Sequence, residues 1–468
     1  MKSIPVLLGA LACLVPAFPC RAQRDANPDP IMALDTILGT MVDPPHTAPA
    51  SAGPALTLEE AQRIALADNP EIRVGERRIT AAESQVPLAG ALEDPQLMLR
   101  SWGVPLAKPW DYNQSQNMLM ISRNLPGPGK RARRTAVAQV DAEMAKQDLA
   151  ETQLRLRVEV RKAFADLLRA QEEIRIHDEH VGIAGQAIEA ARIKYTVGKI
   201  PQVEVLKAQL ALTRLAEHMI RFERDAADAR ARLDTLLGRA PNAALQVEGD
   251  YGLSRQLPSL DDLESLALKS RPDLLHAVTA ADKSRREQAL AGKTFVPDFS
   301  VAGGYMLMPT GSDFRNNYMV EAGVSLPWLN RAKHNADLAQ AAASTAEKTA
   351  EIDAVANSVR GQIQQALAEA QAAQRLARVY RDSLRPQSEQ ALHAAVIAYE
   401  NDQTSFLDLL DSQMTVIDVD LSSLQFVADF STRMADLEMA VGASIDQFSN
   451  TAPTPGDAAA HPETEEKP

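Results

Sequence analysis

Cysteine is nearly absent from this 468-residue chain: there are only 2, Cys13 and Cys20. Both lie at or before a small-residue cleavage site, Cys20-Arg21-Ala22. The mature chain is therefore expected to lack disulfides and thiolate metal sites, even in a compartment that permits disulfides. Positive charge is also short. A formal net charge of −13 argues against nucleic acid as a partner. Aromatic residues make up only 4%, while Ala, Leu, Gln, Glu and Arg fill long stretches, the composition of long packed helices. No nucleophile–base arrangement and no glycine-rich cofactor loop occurs. The sequence thus points away from an enzyme and calls for no cofactor.

The leader is read from Lys2 and the apolar run Ile4 to Phe18, which is too short to span a bilayer as a permanent helix. Residues 1–22 are expected to be a signal peptide, so the chain is expected to be exported. Cys20 is alternatively a lipidation site, although Ala17-Phe18-Pro19 is a poor context for it. Residues 23–55 and 448–468 are rich in Pro, Ala, Thr and, at the C-terminal end, Glu. They carry no apolar period and are expected to be flexible.

What the chain does have is repetition. Leu58-Glu59-Glu60 through Leu66 to Pro70-Glu71-Ile72 returns 202 residues on, as Leu260-Asp261-Asp262 through Leu268 to Pro272-Asp273-Leu274. Leu88-Ala89-Gly90 with Pro95 returns as Leu290-Ala291-Gly292 with Pro297, and Leu125-Pro126 as Leu326-Pro327. Tyr195, Glu204, Leu206, Gln209 and Gly238 return as Tyr399, Asp408, Leu410, Gln413 and Gly442. A unit this long is too large for a solenoid and reads as one duplicated half-domain, with repeats at 56–242 and 259–447 and a linker at 243–258.

Each half opens with a capping-box-like start, Thr57-Leu58-Glu59-Glu60 or Ser259-Leu260-Asp261-Asp262, and its first helix is interrupted at Pro70 or Pro272. Residues 95–103, 117–125, 297–307 and 318–326 then alternate with period two, predicting two hairpins, 95–125 and 297–326. One face carries Leu97, Leu99, Leu119, Ile121, Leu125, Phe299, Val301, Tyr305, Leu307, Tyr318, Val320, Ala322, Val324 and Leu326. The other carries Gln96, Arg100, Ser122, Asn124, Asp298, Ser300, Gly304, Glu321 and Ser325. Breaker-free helical patterns follow over 130–196 and 331–399, each roughly 100 Å long at the α-helical rise. Pro386 should kink the second. Return helices run to Gly238 and Gly442.

Such strands suit either an ordinary antiparallel sheet or a membrane barrel. The helices are too long to cover a four-stranded sheet in a globular domain, and four strands cannot close a barrel. Three copies would supply twelve. The expected fold is mainly α with a membrane β-barrel portion, internally duplicated, with four strands and long helical hairpins per protomer. The sequence thus points to an oligomeric barrel with a long helical extension.

This arrangement resembles the TolC-type outer-membrane efflux family over nearly the whole mature chain. The carrying residues are the paired openings, the Leu-Pro junctions and two helix-tip motifs. These motifs are Tyr195-Thr196-Val197-Gly198 continuing to Val203-Glu204-Val205-Leu206-Lys207-Ala208-Gln209, and Tyr399-Glu400-Asn401-Asp402 continuing to Leu407-Asp408-Leu409-Leu410-Asp411-Ser412-Gln413. The resemblance implies a homotrimer in outer-membrane lipid, with a 12-stranded barrel and a periplasmic α-barrel. It further implies a periplasmic adaptor and an inner-membrane pump of the proton-driven RND type, and a duct that does no chemistry. An acidic aperture maps onto Asp408 and Asp411, and a tip latch onto Tyr399 with Glu204. The adaptor would meet Gly198, Lys199, Ile200, Asp402, Gln403 and Thr404. The family's latch arginine falls at Thr404 and its second-repeat glycine at Asp402, departures that put the latch in question. From spacing alone, Asp408 and Asp411 read equally as a solvated helix end.

Gly127-Pro128-Gly129-Lys130-Arg131 resembles the junction of the family's heavy-metal branch. It is not a phosphate loop, because its glycine spacing is wrong and Arg131 replaces Ser/Thr. A turn followed by basic residues at the membrane edge would account for it. Met98, Met118, Met120, Met306, Met308 and Met319 share the polar strand phase. That suggests either a soft-metal exit path for copper or silver, or adaptable side chains filling a narrow barrel. His177 and His180, three apart on a helix, are expected to be exposed polar surface, since no third ligand is near. A duct for small organic drugs or secreted protein is an alternative cargo reading. A structural or adhesive coiled-coil surface protein is an alternative class, although it would carry a single C-terminal strand set.

Overall fold

The computed structural model describes residues 55–104, 106–110, 115–241, 243–307, 316–401 and 403–445. The leader, both cysteines, the C-terminal tail, Met308 and Asp402 lie outside the described residues.

Helix α1 (Leu58–Asp68) starts with a complete capping box: Thr57 Oγ1 accepts the Glu60 N–H, and the Glu60 carboxylate accepts the Thr57 N–H. Helix α2 (Pro70–Gly90) follows after one extended residue, Asn69. Strands β1 (Gln96–Trp102) and β2 (Gln116–Leu125) form the first hairpin. Helix α3 (Lys130–Thr196) runs 67 residues, and α4 (Gln202–Leu236) returns antiparallel to it. The second half repeats the order: α5 (Leu260–Ser270), α6 (Pro272–Ala291), β3 (Phe299–Leu307) and β4 (Asn316–Val324). A 3-10 turn at Pro327–Asn330 then leads into α7 (Arg331–Val379). Five π-helical residues, Tyr380–Leu384, separate α7 from α8 (Arg385–Glu400), and α9 (Phe406–Val441) ends the body. The π turn lies just ahead of Pro386, whose missing N–H and bulky ring cannot join a regular ladder, so the expected kink takes the form of a π-bulge.

The duplication is visible in the packing. In the first half, Val160, Ala163, Phe164, Leu167, Leu233 and Leu237 are buried together with Ala61 and Ala65. In the second, Ile363, Ala366, Leu367, Ala370, Leu437 and Val441 are buried with Leu263 and Ala267. Each half also fastens its short helices to the end of its return helix by a side chain at the break. Asn69 Nδ2 donates to Leu236 O at 2.9 Å. At the equivalent position Arg271 Nη1 donates to Ala440 O at 2.5 Å. Gly238 and Gly442 terminate the return helices with φ of 70° and 80°. Both pass so close to these breaks that a Cβ would meet Asp68 O at 2.8 Å and Arg271 Cα at 2.7 Å.

The segment expected to be the inter-repeat linker packs into both halves. Leu56 pairs with Val247 in a parallel bridge, and Leu245 and Val247 join the first core while Leu253 joins the second. The halves are also tied by Arg161 of α3 and Glu438 of α9, 2.5 Å apart with side chains 9% and 9% exposed. The neighbouring pair Lys162–Asp436 runs alongside. At the strand-to-helix junction, Asp298 accepts the Gly127 N–H at 2.6 Å and the Lys130 ammonium at 2.8 Å, while Arg131 Nε donates to Gly90 O at 2.6 Å. Lys130 thus holds the junction together across the halves, while Arg131 ties it to the end of α2 within the first half.

The four strands form one antiparallel sheet in the order β1-β2-β3-β4. Among the described residues β1 and β4 each have one strand neighbour. One face is apolar and bare: Leu97 and Leu99 are 72% exposed, Tyr318 88% and Val320 87%. An apolar face of this extent is foreign to water.

Candidate functional site

At the first tip, α3 stops because Gly198 takes a φ of 73°. Lys199 N–H then closes back on Lys194 O at 2.9 Å, and Pro201 sets up α4. The second tip copies this closure, with Gln403 N–H on Ala398 O at 2.8 Å. Gly198, Lys199 and Gln403 are exposed, whereas Ile200 and Thr404 are half-buried. Phe406, which sequence reasoning passed over, is buried among Ala191, Ala208, Ile200 and Tyr399. It welds the two tips together: an aromatic ring of the second repeat fills a space lined by the first repeat's alanines. A phenylalanine entering a helix opposite two alanines was the available signal.

Asp408 is the capping-box residue of α9. Its Oδ2 accepts the Ser405 N–H at 3.2 Å, the Ser405 hydroxyl at 2.8 Å and the Thr404 hydroxyl at 2.8 Å. These bonds hold its carboxyl below the ordinary aspartate range, the Ser405 hydroxyl contributing most, so it stays ionised. Asp411 is exposed one turn further along, and Asp418 continues the same exposed face two turns beyond. Asp418 follows from helical periodicity alone and was missed.

The expected latch is not made in this conformation. The Tyr399 hydroxyl and Glu204 Oε2 are both buried without a hydrogen-bond partner among the described residues. Tyr399 instead stacks edge-on to Phe406 at 5.8 Å and receives the Lys194 ammonium 3.6 Å above its ring. The ring is packed while the hydroxyl stays unpaired, and Thr404, where the latch arginine would stand, is hydrogen-bonded to Asp408.

The expectation that His177 and His180 are exposed is corrected: they are 0% and 8% exposed. Each turns inward from α3. His177 Nε2 lies 2.5 Å from Leu215 O on α4, and its ring sits edge-on to Phe222 at 5.3 Å and near His218 at 6.0 Å. Burial pushes the His177 imidazole below its ordinary value, against the pull of the Leu215 carbonyl. His180 Nε2 lies 3.4 Å from Asp420 of α9, which Arg385 of α8 also approaches at 2.9 Å. These histidines join helices; no group of three or more His, Cys, Asp or Glu among the described residues is arranged to hold a metal.

A duplicated helical body, a sheet with a bare apolar face and paired helix tips together define the architecture of an outer-membrane efflux channel. The outer membrane efflux protein family model matches residues 62–239 and 263–443, one match per repeat. The chain belongs to that family, acts at the outer membrane and is not an enzyme. Among its relatives is the cobalt-zinc-cadmium resistance protein CzcC of Cupriavidus metallidurans, 26% identical over 373 residues, spanning 78% of this chain and 85% of CzcC. The outer membrane efflux protein BepC of Brucella suis biovar 1 is 22% identical over 273 residues, 56% of this chain and 58% of its own. Two solved channels share the fold. CusC superposes with a TM-score of 0.69 at 17% identity over 82% of this chain and 92% of its own. The open state of MtrE from Neisseria gonorrhoeae gives 0.69 at 17% over 83% and 89%.

Proposed function

We propose that the chain is the exit duct of a tripartite efflux system for heavy-metal cations. Three copies close a 12-stranded barrel in the outer membrane, and their helices form a tunnel that meets a periplasmic adaptor and an inner-membrane pump of the proton-driven RND type. The observation that carries this reading is the sheet: four strands with a lipid-suited outer face and a single neighbour at each edge strand need further copies to close. The similarity to CzcC supports a metal cargo. In this reading Asp408 and Asp411 line the narrow end, where ionised carboxylates favour cations. The adaptor contacts fall on Gly198, Lys199, Ile200, Asp402, Gln403 and Thr404.

Deleting the gene and comparing tolerance to cobalt, zinc, cadmium, copper and silver with tolerance to hydrophobic drugs tests the cargo. Metal sensitivity is expected; sensitivity to drugs alone would make this an organic-cargo duct. Cross-linking of the intact protein in its membrane tests the assembly, and a ladder ending anywhere but at three would overturn it.

A further inference from the structure

The inner face of the sheet carries an ordered array of thioethers. Strand register places Met98 opposite Met120, Met120 opposite Gly304, and Gly304 opposite Met319. The adjacent row runs Arg100, Met118, Met306, Asn317. Neighbours within a row have Cβ atoms about 5 Å apart, and the two rows are about 7 Å apart along the strands. Unbranched methionine side chains reach across both gaps. All five methionines of the described strands lie in these two rows, on the face away from Leu97 and Leu99.

Gly304 completes the upper row by leaving it open. A Cβ there would stand 2.9 Å from Leu119 O and 3.3 Å from Met120 Cβ, so no side chain fits between Met120 and Met319. Met118 and Met120 are 2% and 6% exposed, so their sulfurs are held away from bulk water. Neither row contains a carboxylate or an imidazole; the nearest inner-face acid in the register, Glu321, belongs to the row on the helical side with Gln96, Ser122 and Ala302. Arg100, on the outward side, points a guanidinium nitrogen at Met98 Sδ, 3.5 Å away.

A barrel of about eight strands is filled by its own side chains, and the interior widens as strands are added. Barrel lumens are ordinarily polar, so a run of thioethers on this face departs from the usual lining. Neutral sulfur donors without carboxylate or imidazole favour soft cations over zinc or cobalt. We propose that the two rows form a transit site for a soft monovalent cation, Cu(I) or Ag(I). Glu321 supplies charge on the approach, and Arg100 limits residence at the outward end, as a conducting site requires. The site rests on reading the sheet as the wall of the exit barrel.

The test uses the full chain purified in detergent and titrated with Ag(I), alongside a variant with Met98, Met118, Met120, Met306 and Met319 all changed to Leu. A milder pair, M98L with M120L, serves if the fivefold variant does not assemble. Silver affinity is expected to fall by about tenfold or more in the variants, with no matching change for Zn(II). In a deletion host the variant should restore zinc tolerance but not silver tolerance. Unchanged silver binding in the variants would overturn the site. A wild-type chain that restores no metal tolerance, yet loses silver binding on substitution, would leave the site standing and count against the exit-duct reading instead.

Discussion

Replacing Gly442 by Ala should destabilise the protein well beyond the usual cost of a helix-ending substitution. Its φ of 80° is left-handed, which costs a residue with a Cβ about 1–2 kcal/mol. The added Cβ would also lie 2.7 Å from Arg271 Cα and 3.2 Å from Arg271 Cβ, well inside the roughly 3.5–4.0 Å of an unstrained carbon contact. Relief requires Arg271 to back away, and Arg271 is the residue whose guanidinium grips Ala440 O and Gln362 Oε1, each at 2.5 Å. Losing one such charged hydrogen bond adds about 1.5–3 kcal/mol, for a total of about 2.5–5 kcal/mol. Gly198 offers the control. Its φ of 73° is similar, but nothing lies within 4 Å of its Cβ position, so Gly198→Ala should cost only the strain of about 1–2 kcal/mol. Thermal inactivation rates of the two variants, measured in the same detergent, separate the contributions. Equal losses would show that the close approach to Arg271 has no energetic weight.

Glu438→Ala strands Arg161 in a nearly dry site, which should cost about 3–5 kcal/mol in urea unfolding, and adding Arg161→Met should recover part of it. His177→Gln, which keeps an N–H for Leu215 O, tests acid sensitivity. The buried His177 imidazole, near His218, His180 and Asp178, resists a proton that the unfolded chain accepts below its ordinary value of 6.5. Stability should therefore fall as pH drops through that value in the wild type, and fall less steeply in the variant; identical pH profiles from thermal melts would refute the assignment. Asp411→Asn, which removes an exposed charge with no structural bond at stake, should leave melting unchanged and lower cation preference in planar-bilayer recordings. Asp408→Ala should additionally loosen the second tip, seen as faster amide exchange at the start of α9.

Much of this architecture was legible because period and spacing survive without an alignment. Strict alternation in β1 to β4 and the unbroken pattern from Lys130 to Thr196 are local signals that need no tertiary knowledge. Asp408 was found through its motif, but its capping role depends on Ser405 taking an extended conformation, which only the fold displays. The inward turn of His177 was invisible because a histidine among charged neighbours looks solvated, and only the packing of α4 against α3 shows otherwise. The surroundings of Tyr399 were hidden for a similar reason: Phe406 and Lys194 meet its ring only after the tips have folded. The linker residues Leu245, Val247 and Leu253 carry too short a pattern to announce that they close two cores.

The sheet's outer strands have a consequence for the life of the protein before it reaches its destination. A chain with an oily face and two unsatisfied strand margins is hazardous while solitary, since either margin can template pairing with any extended stranger. In the proposed ring, β4 of one copy meets β1 of the next head to tail, so two copies still leave one pair of margins raw and only closure removes both. Partly built intermediates gain little shelter from being partly built. In that ring the strands have reason to mature only together and only at the lipid surface. Assembly of the ring becomes a single collective event.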